Sequence, residues 1–326
     1  MTQQLLLDRL REGSGFMSIR LFSRRQFGLT AFATGVSGAA ARGARAGEKR
    51  PLTIEDCRGR RVTLGTMDRI VSIGGTITET LYALGASGRV VGVDITSTYP
   101  VAALREKKSI GYMRQLSADG ILSLRPDLVL AMNDSGPPAA IDQIMNASIP
   151  TVMIDATPSL DGVRKRILTL SSIIGAGEQG ASMVVRFDNQ LRTLKAWKEL
   201  HPQQPRVLFV MRVVNGRPMA AGTGTAADAI ITLAGGTNAG SAMQGYKALE
   251  REALITLQPD MILMMSQGGQ AMRDALLEDP AVLATPAGRN RAVIDMEGEK
   301  LLGFGPRTAE AALELAQQIN GHMKPA

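Results

Sequence analysis

Residues 111–127 read GYMRQLSADGILSLRPD, and residues 245–260 read GYKALEREALITLQPD, the same phrase with one residue fewer between its Gly-Tyr and its Leu. Each copy runs Gly-Tyr, a basic residue close behind, and a carboxylate opening an apolar stretch, Asp119 or Glu252. Leu-x-Pro-Asp and a short apolar run, LVLAM or MILMM, complete it. A phrase used twice in one chain points to a structural unit used twice.

The flanking segments say what that unit is. RIVSIGG (69–75) reads as a strand ending in glycines, TITETLYALGA as a helix capped by a Thr and closed by Gly85, and RVVGVD as the next strand. After the first copy come DLVLAM, a helix around AAIDQIMNAS, and the strand TVMID. This βαβ alternation predicts a parallel sheet with both faces covered. The same grammar restarts at RVLFVM (206–211), with a helix beginning near Thr225, then the second copy, MILMM, a further helix and the strand RAVIDM. Residues from about 159 to 200 carry no strand signal. Their second half keeps helical spacing through Met183, Val184, Phe187, Leu191, Leu194 and Trp197, and ends at His201-Pro202. The expected fold is therefore α/β: two similar α/β lobes joined by one long rigid helix, with a ligand cleft between them. The boundaries fall at 47–165 for the first lobe, 166–201 for the joining segment and 202–326 for the second lobe.

Residues 1–46 read differently. Ser23-Arg24-Arg25-Gln26-Phe27-Gly28-Leu29 is a twin-arginine pattern, followed by the mildly apolar LTAFATGVSGAAA and by Ala44-Arg45-Ala46, a small-residue cleavage site. The pattern is complete from Met17 onward, and it predicts export to a periplasm. Cys57, the one cysteine, lies past the cleavage site without a lipidation-type run before it, and leaves no partner for an internal disulfide. The formal charge of +7 belongs mostly to this leader: seven of the 37 Lys+Arg and two of the 30 Asp+Glu precede residue 47, leaving 30 against 28. With 4% aromatic residues and no recognised module, nucleic acid is set aside as a partner. No apolar run reaches the length of a bilayer span.

An exported two-lobed α/β chain, with a carboxylate at the start of an apolar helix in each lobe and Leu-x-Pro-Asp before a strand, resembles the substrate-binding proteins of ABC importers for haem, cobalamin and ferric siderophores. The resemblance spans nearly all of residues 66–320. RIVSIGGTITETLYALG, Gly111-Tyr112-Met113-Arg114, LSADGILSLRPDLVL, GTGTAADAI and TPAGRNRAV are most similar to the periplasmic haem-binding members. The resemblance implies haem b as transported ligand, its iron held by Tyr112 with Arg114 in support. The chemistry agrees. Ferric haem accepts a phenolate as axial donor, a phenol is protonated at neutral pH, and a guanidinium two residues on, facing the same way if the segment is extended, favours the anion. Tyr99, in a loop after the second strand, and Tyr246, the counterpart of Tyr112, are further candidates for the cleft wall. Met113 is expected to pack, with a smaller prospect of touching the macrocycle. Gln267 stands where haem-binding relatives often carry an Arg, with Arg212, Arg217 or Arg273 as the side chains that could compensate.

For partners, the resemblance implies an inner-membrane ABC permease dimer with its ATPase, and indirectly an outer-membrane haem receptor. Asp119 and Glu252 would pair with arginines of the two permease subunits; their ordinary reading is a helix-dipole contact. The same scaffold with cobalamin or a ferric siderophore as cargo is the alternative. An exported α/β enzyme ranks lower, since the sequence shows no serine elbow, HExxH or CxxC pair.

Overall fold

A computed structural model of the protein describes residues 52–323; the twin-arginine leader read in residues 1–46 lies outside them. A short antiparallel hairpin, β1 (Leu52–Glu55) with β2 (Arg61–Leu64), precedes the first lobe. That lobe runs β3 (Ile70–Ile73), α1 (Gly75–Ala83), β4 (Val90–Val93), α2 (Ala102–Glu106), β5 (Lys108–Ser109), α3 (Ala118–Leu122), β6 (Leu128–Met132), α4 (Pro138–Asn146) and β7 (Thr151–Ile154). Its five strands are all parallel, in the order β5-β4-β3-β6-β7. Every residue of β3, β6 and β7 is buried, Ser72 and Thr151 included, as the short, mostly apolar runs predicted for strands covered on both faces.

Two helices follow, α5 (Leu160–Ile174) and α6 (Gly177–Leu200), so the strand-free segment is a packed helix pair whose longer member is the expected strut. Met183, Phe187 and Leu194 of α6 are buried, and Val184, Leu191 and Trp197 pack beside them. One apolar core runs through this stripe, taking in Ile73 and Leu130 of the first lobe and Phe209 and Ile230 of the second. A shared core resists hinging in a way a flexible linker does not.

The second lobe runs β8 (Arg206–Val214), β9 (Arg217–Ala221), α7 (Ala226–Ala234), β10 (Thr237–Asn238), β11 (Tyr246–Ala248), α8 (Arg251–Leu257), β12 (Met261–Met265), α9 (Gly269–Glu278), α10 (Pro280–Leu283), α11 (Pro286–Arg289), β13 (Val293–Met296), α12 (Gly298–Leu302) and α13 (Thr308–Met323). Strands β8, β12 and β13 are parallel, while β9 and β11 add antiparallel pairs at one edge and β10 lies beside the start of β8. The repeated βα grammar thus holds only in part. Asn215 (φ 51°) and Gly216 (φ 75°) make a tight hairpin turn between β8 and β9, and Asn-Gly between apolar runs is the sequence signal for it. A second correction concerns α1. Its N-cap is Gly74, at φ 119°, and the Thr expected to cap it, Thr76, lies inside the first turn and bonds elsewhere.

The repeated phrase builds the same joint twice. The Asp127 carboxylate accepts the backbone N–H groups of Asp68 and Arg69 at 2.9 Å each, just ahead of β3. Asp260 accepts the N–H of Arg206 at 2.8 Å, at the first residue of β8. The Arg69 guanidinium in turn donates to the carbonyls of Leu124 and Arg125, and that of Arg206 to Leu257. The residue before each proline is left-handed, Arg125 at φ 45° and Gln258 at φ 41°. In each lobe Leu-x-Pro-Asp therefore turns a short helix into a central strand and pins that strand to its parallel neighbour.

Candidate functional site

In the first lobe the chain starts at β3 and leaves it on both sides, to β4 and to β6, so the loops at the C-terminal ends of β3 and β6 diverge and open a crevice. Gly74 and Gly75 end β3, Met132 and Asp134 end β6, and Thr96 follows β4. All five line a cleft of about 610 Å³. The opposite wall comes from the second lobe: Met211, residues 224–226, Gly245 and Tyr246. Met211 arrives there through a bulge, because Val210 pairs with Ala220 and Arg212 with Met219, leaving Met211 as the extra residue. Leu302, Gly303 and Glu299 close the floor.

Tyr112, Met113 and Arg114 line this cleft. The Tyr112 hydroxyl accepts a hydrogen bond from the Arg114 guanidinium at 2.7 Å, and the same guanidinium forms an ion pair with Asp134. The segment is not extended, as the i, i+2 reading assumed. It turns, with Gln115 N–H donating to the Tyr112 carbonyl at 2.8 Å and Gly136 N–H to the Met113 carbonyl at 2.9 Å. The turn still brings Tyr112 and Arg114 together, and lacing to the loop after β6 supplies Asp134. Burial pulls the Arg114 pKa down, but its bonds to Tyr112 and the Asp134 charge outweigh that and hold it above the usual value. Tyr246 sits on the facing wall with its ring edge-on to Phe209, 6.4 Å between centroids. Burial pushes its phenol up, partly offset by Thr225 and by the positive charge of Arg114.

Below them, the Thr76 hydroxyl lies 2.9 Å from Glu299 Oε1 and 2.7 Å from the Gly303 carbonyl, joining the first lobe to the second. Thr98 donates to Glu297 at 2.9 Å and Arg307 to Glu79 at 3.0 Å in the same seam. Burial, with the carboxylates Glu79, Asp94 and Glu297 adding to it and Thr76 opposing, pushes Glu299 up to about 8. Glu299 keeps some surface open to the cleft yet is surrounded by protein.

Two expected wall residues lie elsewhere. Tyr99 is 45% exposed with the Arg307 guanidinium 3.8 Å from its ring centroid, and it does not line the cleft. Gln267 accepts the Gly298 N–H at 3.0 Å and donates to Glu297 at 3.3 Å, fastening the start of α12. The arginines offered as substitutes are engaged or outside: Arg217 pairs with Glu250 at 2.9 Å, Arg273 with Asp295, and Arg212 is exposed on β8 and does not line the cleft. Asp119 and Glu252 are exposed in the first turns of α3 and α8. His201 stacks on Trp197 at 4.0 Å, at the far end of α6. Sequence reasoning missed Asp134, Thr76, Met211 and Glu299. Polar residues just past strand ends at a crossover, such as Asp134 in Met-Asn-Asp, are the signal that could have found the first.

Comparison with known proteins places this architecture. A family model described as periplasmic binding protein matches residues 70–299. The chain belongs to the periplasmic binding protein family. It is similar to a solved periplasmic heme-binding protein, BhuT, in complex with two hemes, at 39% identity and a TM-score of 0.73, covering 78% of this chain and 99% of that one. An uncharacterized ABC transporter substrate-binding lipoprotein of Bacillus subtilis strain 168 is 28% identical over 277 residues, 82% of this chain and 85% of the relative. The vitamin B12-binding protein of Pectobacterium atrosepticum is 25% identical, over 77% of this chain and 88% of the relative. This family member has two α/β lobes with a cleft between them, and the segment joining them is the pair α5 and α6, whose first helix begins at Leu160 and so runs across the boundary drawn at 166.

Proposed function

We propose that the protein is a periplasmic substrate-binding protein of ABC import that takes ferric haem in the inter-lobe cleft, with Tyr112 as axial ligand, and delivers it to a permease. The observation that carries this reading is the Tyr112 hydroxyl at 2.7 Å from the Arg114 guanidinium at one wall of a cleft of about 610 Å³. The walls fit the group. Met113, Met132, Met211, Pro158 and Leu302 offer apolar and polarisable surface to a macrocycle, and one hard oxygen donor stands ready for ferric iron. The Arg114 guanidinium donates to the Tyr112 oxygen, and Asp134 fixes the guanidinium in place. The likeness to a heme-binding protein supports this cargo, and the twin-arginine leader of residues 1–46 supports the periplasm.

Delivery rests on the repeat. Asp119 and Glu252 occupy the same second position of equivalent short helices, both exposed, one on each lobe. A permease built on two-fold symmetry presents two equivalent basic patches, and a pseudo-two-fold carrier meets both. The family is one of binding proteins, and a relative is named as an ABC transporter substrate-binding protein, which supports transport rather than catalysis. A second reading, cobalamin as cargo, draws on the similarity to the vitamin B12-binding protein. Titration of the purified protein with hemin and with cobalamin decides between them. The proposal expects saturable hemin binding with a tyrosinate-to-iron charge-transfer band and no displacement by cobalamin; tight cobalamin binding without that band contradicts it.

A further inference from the structure

We propose that Glu299 is a ligand-contacting residue: its carboxyl, protonated and held by Thr76, donates a hydrogen bond from Oε2 to a carboxylate of the molecule bound in the cleft. The inference rests on the porphyrin reading above, which supplies a ligand carrying carboxylates.

Four carboxyl groups meet beneath the cleft, and their partners differ. Asp94 is buried but accepts the N–H groups of Gly74 at 2.8 Å and Thr96 at 3.0 Å, with the Thr96 hydroxyl at 2.8 Å. Glu297 accepts two backbone N–H groups, from Glu299 at 3.0 Å and Lys300 at 2.7 Å, and the Thr98 hydroxyl. Glu79 has the Arg307 guanidinium at 3.0 Å. Each of these has what an ionised carboxylate needs. Glu299 has only the Thr76 hydroxyl on Oε1, whose single proton is shared with the Gly303 carbonyl, and the described residues offer its Oε2 no donor. The nearby cations are spoken for: Arg307 by Glu79, Arg166 by the carbonyls of Asp155 and Phe304, and Lys300 by Glu310 and Glu314. A desolvated carboxyl facing three anions with no cation of its own keeps its proton.

The packing around it is specific. A Cβ added at Gly75 would collide with the Thr96 carbonyl and lie 2.6 Å from the Glu299 Cδ, and one at Gly303 would collide with Oε1, so the carboxyl is packed tightly against backbone of both lobes. Glu299 lines the cleft, Oε1 is taken by Thr76, and Oε2 is not among the fully buried unpaired oxygens, so it is the oxygen left for a ligand. The carboxyl is pushed up to about 8, so it is neutral and donor-competent at neutral pH. Above that it is an anion, which repels a ligand carboxylate. Ligand affinity therefore falls as pH rises through about 8. The hydrogen bond to a charged acceptor is worth about tenfold or more in binding.

The test titrates the full chain and the Glu299→Gln variant with hemin and with hemin dimethyl ester from pH 6.5 to 9.5. Gln cannot ionise, so the ratio of wild-type to variant dissociation constants for hemin should climb about tenfold between pH 7 and pH 9, and stay flat for the ester. Thr76→Val, which removes the donor to Oε1, should move the hemin transition to higher pH. A ratio that stays flat with hemin, or that climbs equally with the ester, overturns the assignment of Glu299 while leaving haem binding standing. Absence of saturable hemin binding by the wild type overturns the cargo reading itself and this contact with it.

Discussion

The two copies of the repeated phrase agree in their second halves and part company in their first. Leu124-Arg125-Pro126-Asp127 and Leu257-Gln258-Pro259-Asp260 make the same left-handed turn, the same aspartate clasp and the same arginine tie. Their Gly-Tyr openings share a left-handed glycine, Gly111 at φ 86° and Gly245 at φ 70°, and a tyrosine that lines the cleft. Past that point Tyr112 enters a free turn where Arg114 reaches its hydroxyl, whereas Tyr246 enters β11, paired with Ala221 of β9, and Lys247 at the next register position is exposed. The missing residue in the second copy goes with a strand in place of a turn. The frame half of the phrase carries fold and is kept twice; the tyrosine half lines the cleft in both copies, and only Tyr112 has a guanidinium on its hydroxyl.

Substitutions made in matched pairs test that division. The largest difference is expected at the basic residues. Arg114→Ala should weaken hemin binding about 10- to 100-fold, the range for losing a hydrogen bond to a charged group, while Lys247→Ala should leave it unchanged in equilibrium titration. Equal losses would mean that both tyrosine copies serve the ligand alike. Next come the clasps. Asp127→Ala removes the acceptor of two backbone N–H groups and should cost about 1–3 kcal/mol in denaturant unfolding, and Asp260→Ala, with one such bond, about 1 kcal/mol. Hemin affinity of the folded variants should not change; if it does, the frame is part of the site.

That much of the fold was legible in the sequence has a physical cause. Strands buried on both faces are mostly apolar, so RIVSI, LVLAM, TVMI and MILMM announced themselves despite the buried Ser72 and Thr151, and α6 showed its buried stripe at helical spacing. The β8–β9 hairpin was marked by Asn215-Gly216, but its strand continues past the apolar run into the exposed Arg212 and Val214, which blurred its end. Among the cleft-lining residues, Tyr112, Met113 and Arg114 are neighbours in sequence and Tyr246 was pointed to by the repeat; Asp134, Thr76, Met211 and Glu299 join them through sheet crossovers, a bulge and an inter-lobe contact that no short window contains. Tyr99 and Gln267 were expected at the wall because of their loops, and the structure instead uses Tyr99 under Arg307 and Gln267 at α12.

The smallest expected effect lies on the outer surface. Asp119→Ala and Glu252→Ala should each slow vesicle-reconstituted hemin uptake about 2- to 5-fold, as befits exposed charge pairs worth up to about 1 kcal/mol, and the double variant more than either. Asp119, one methylene shorter, should contribute less. Hemin titration should be unaffected in all three. A double variant that delivers hemin at the normal rate would leave both carboxylates as helix-terminus charges alone.

The specialisation of one tyrosine is tested most directly by the visible spectrum of the hemin complex in Tyr112→Phe beside Tyr246→Phe. The predicted result is loss of the tyrosinate-to-iron charge-transfer band and of tight binding in Tyr112→Phe, with the band retained in Tyr246→Phe. A band that survives in Tyr112→Phe and disappears in Tyr246→Phe would contradict it, placing the iron on the second copy of the phrase.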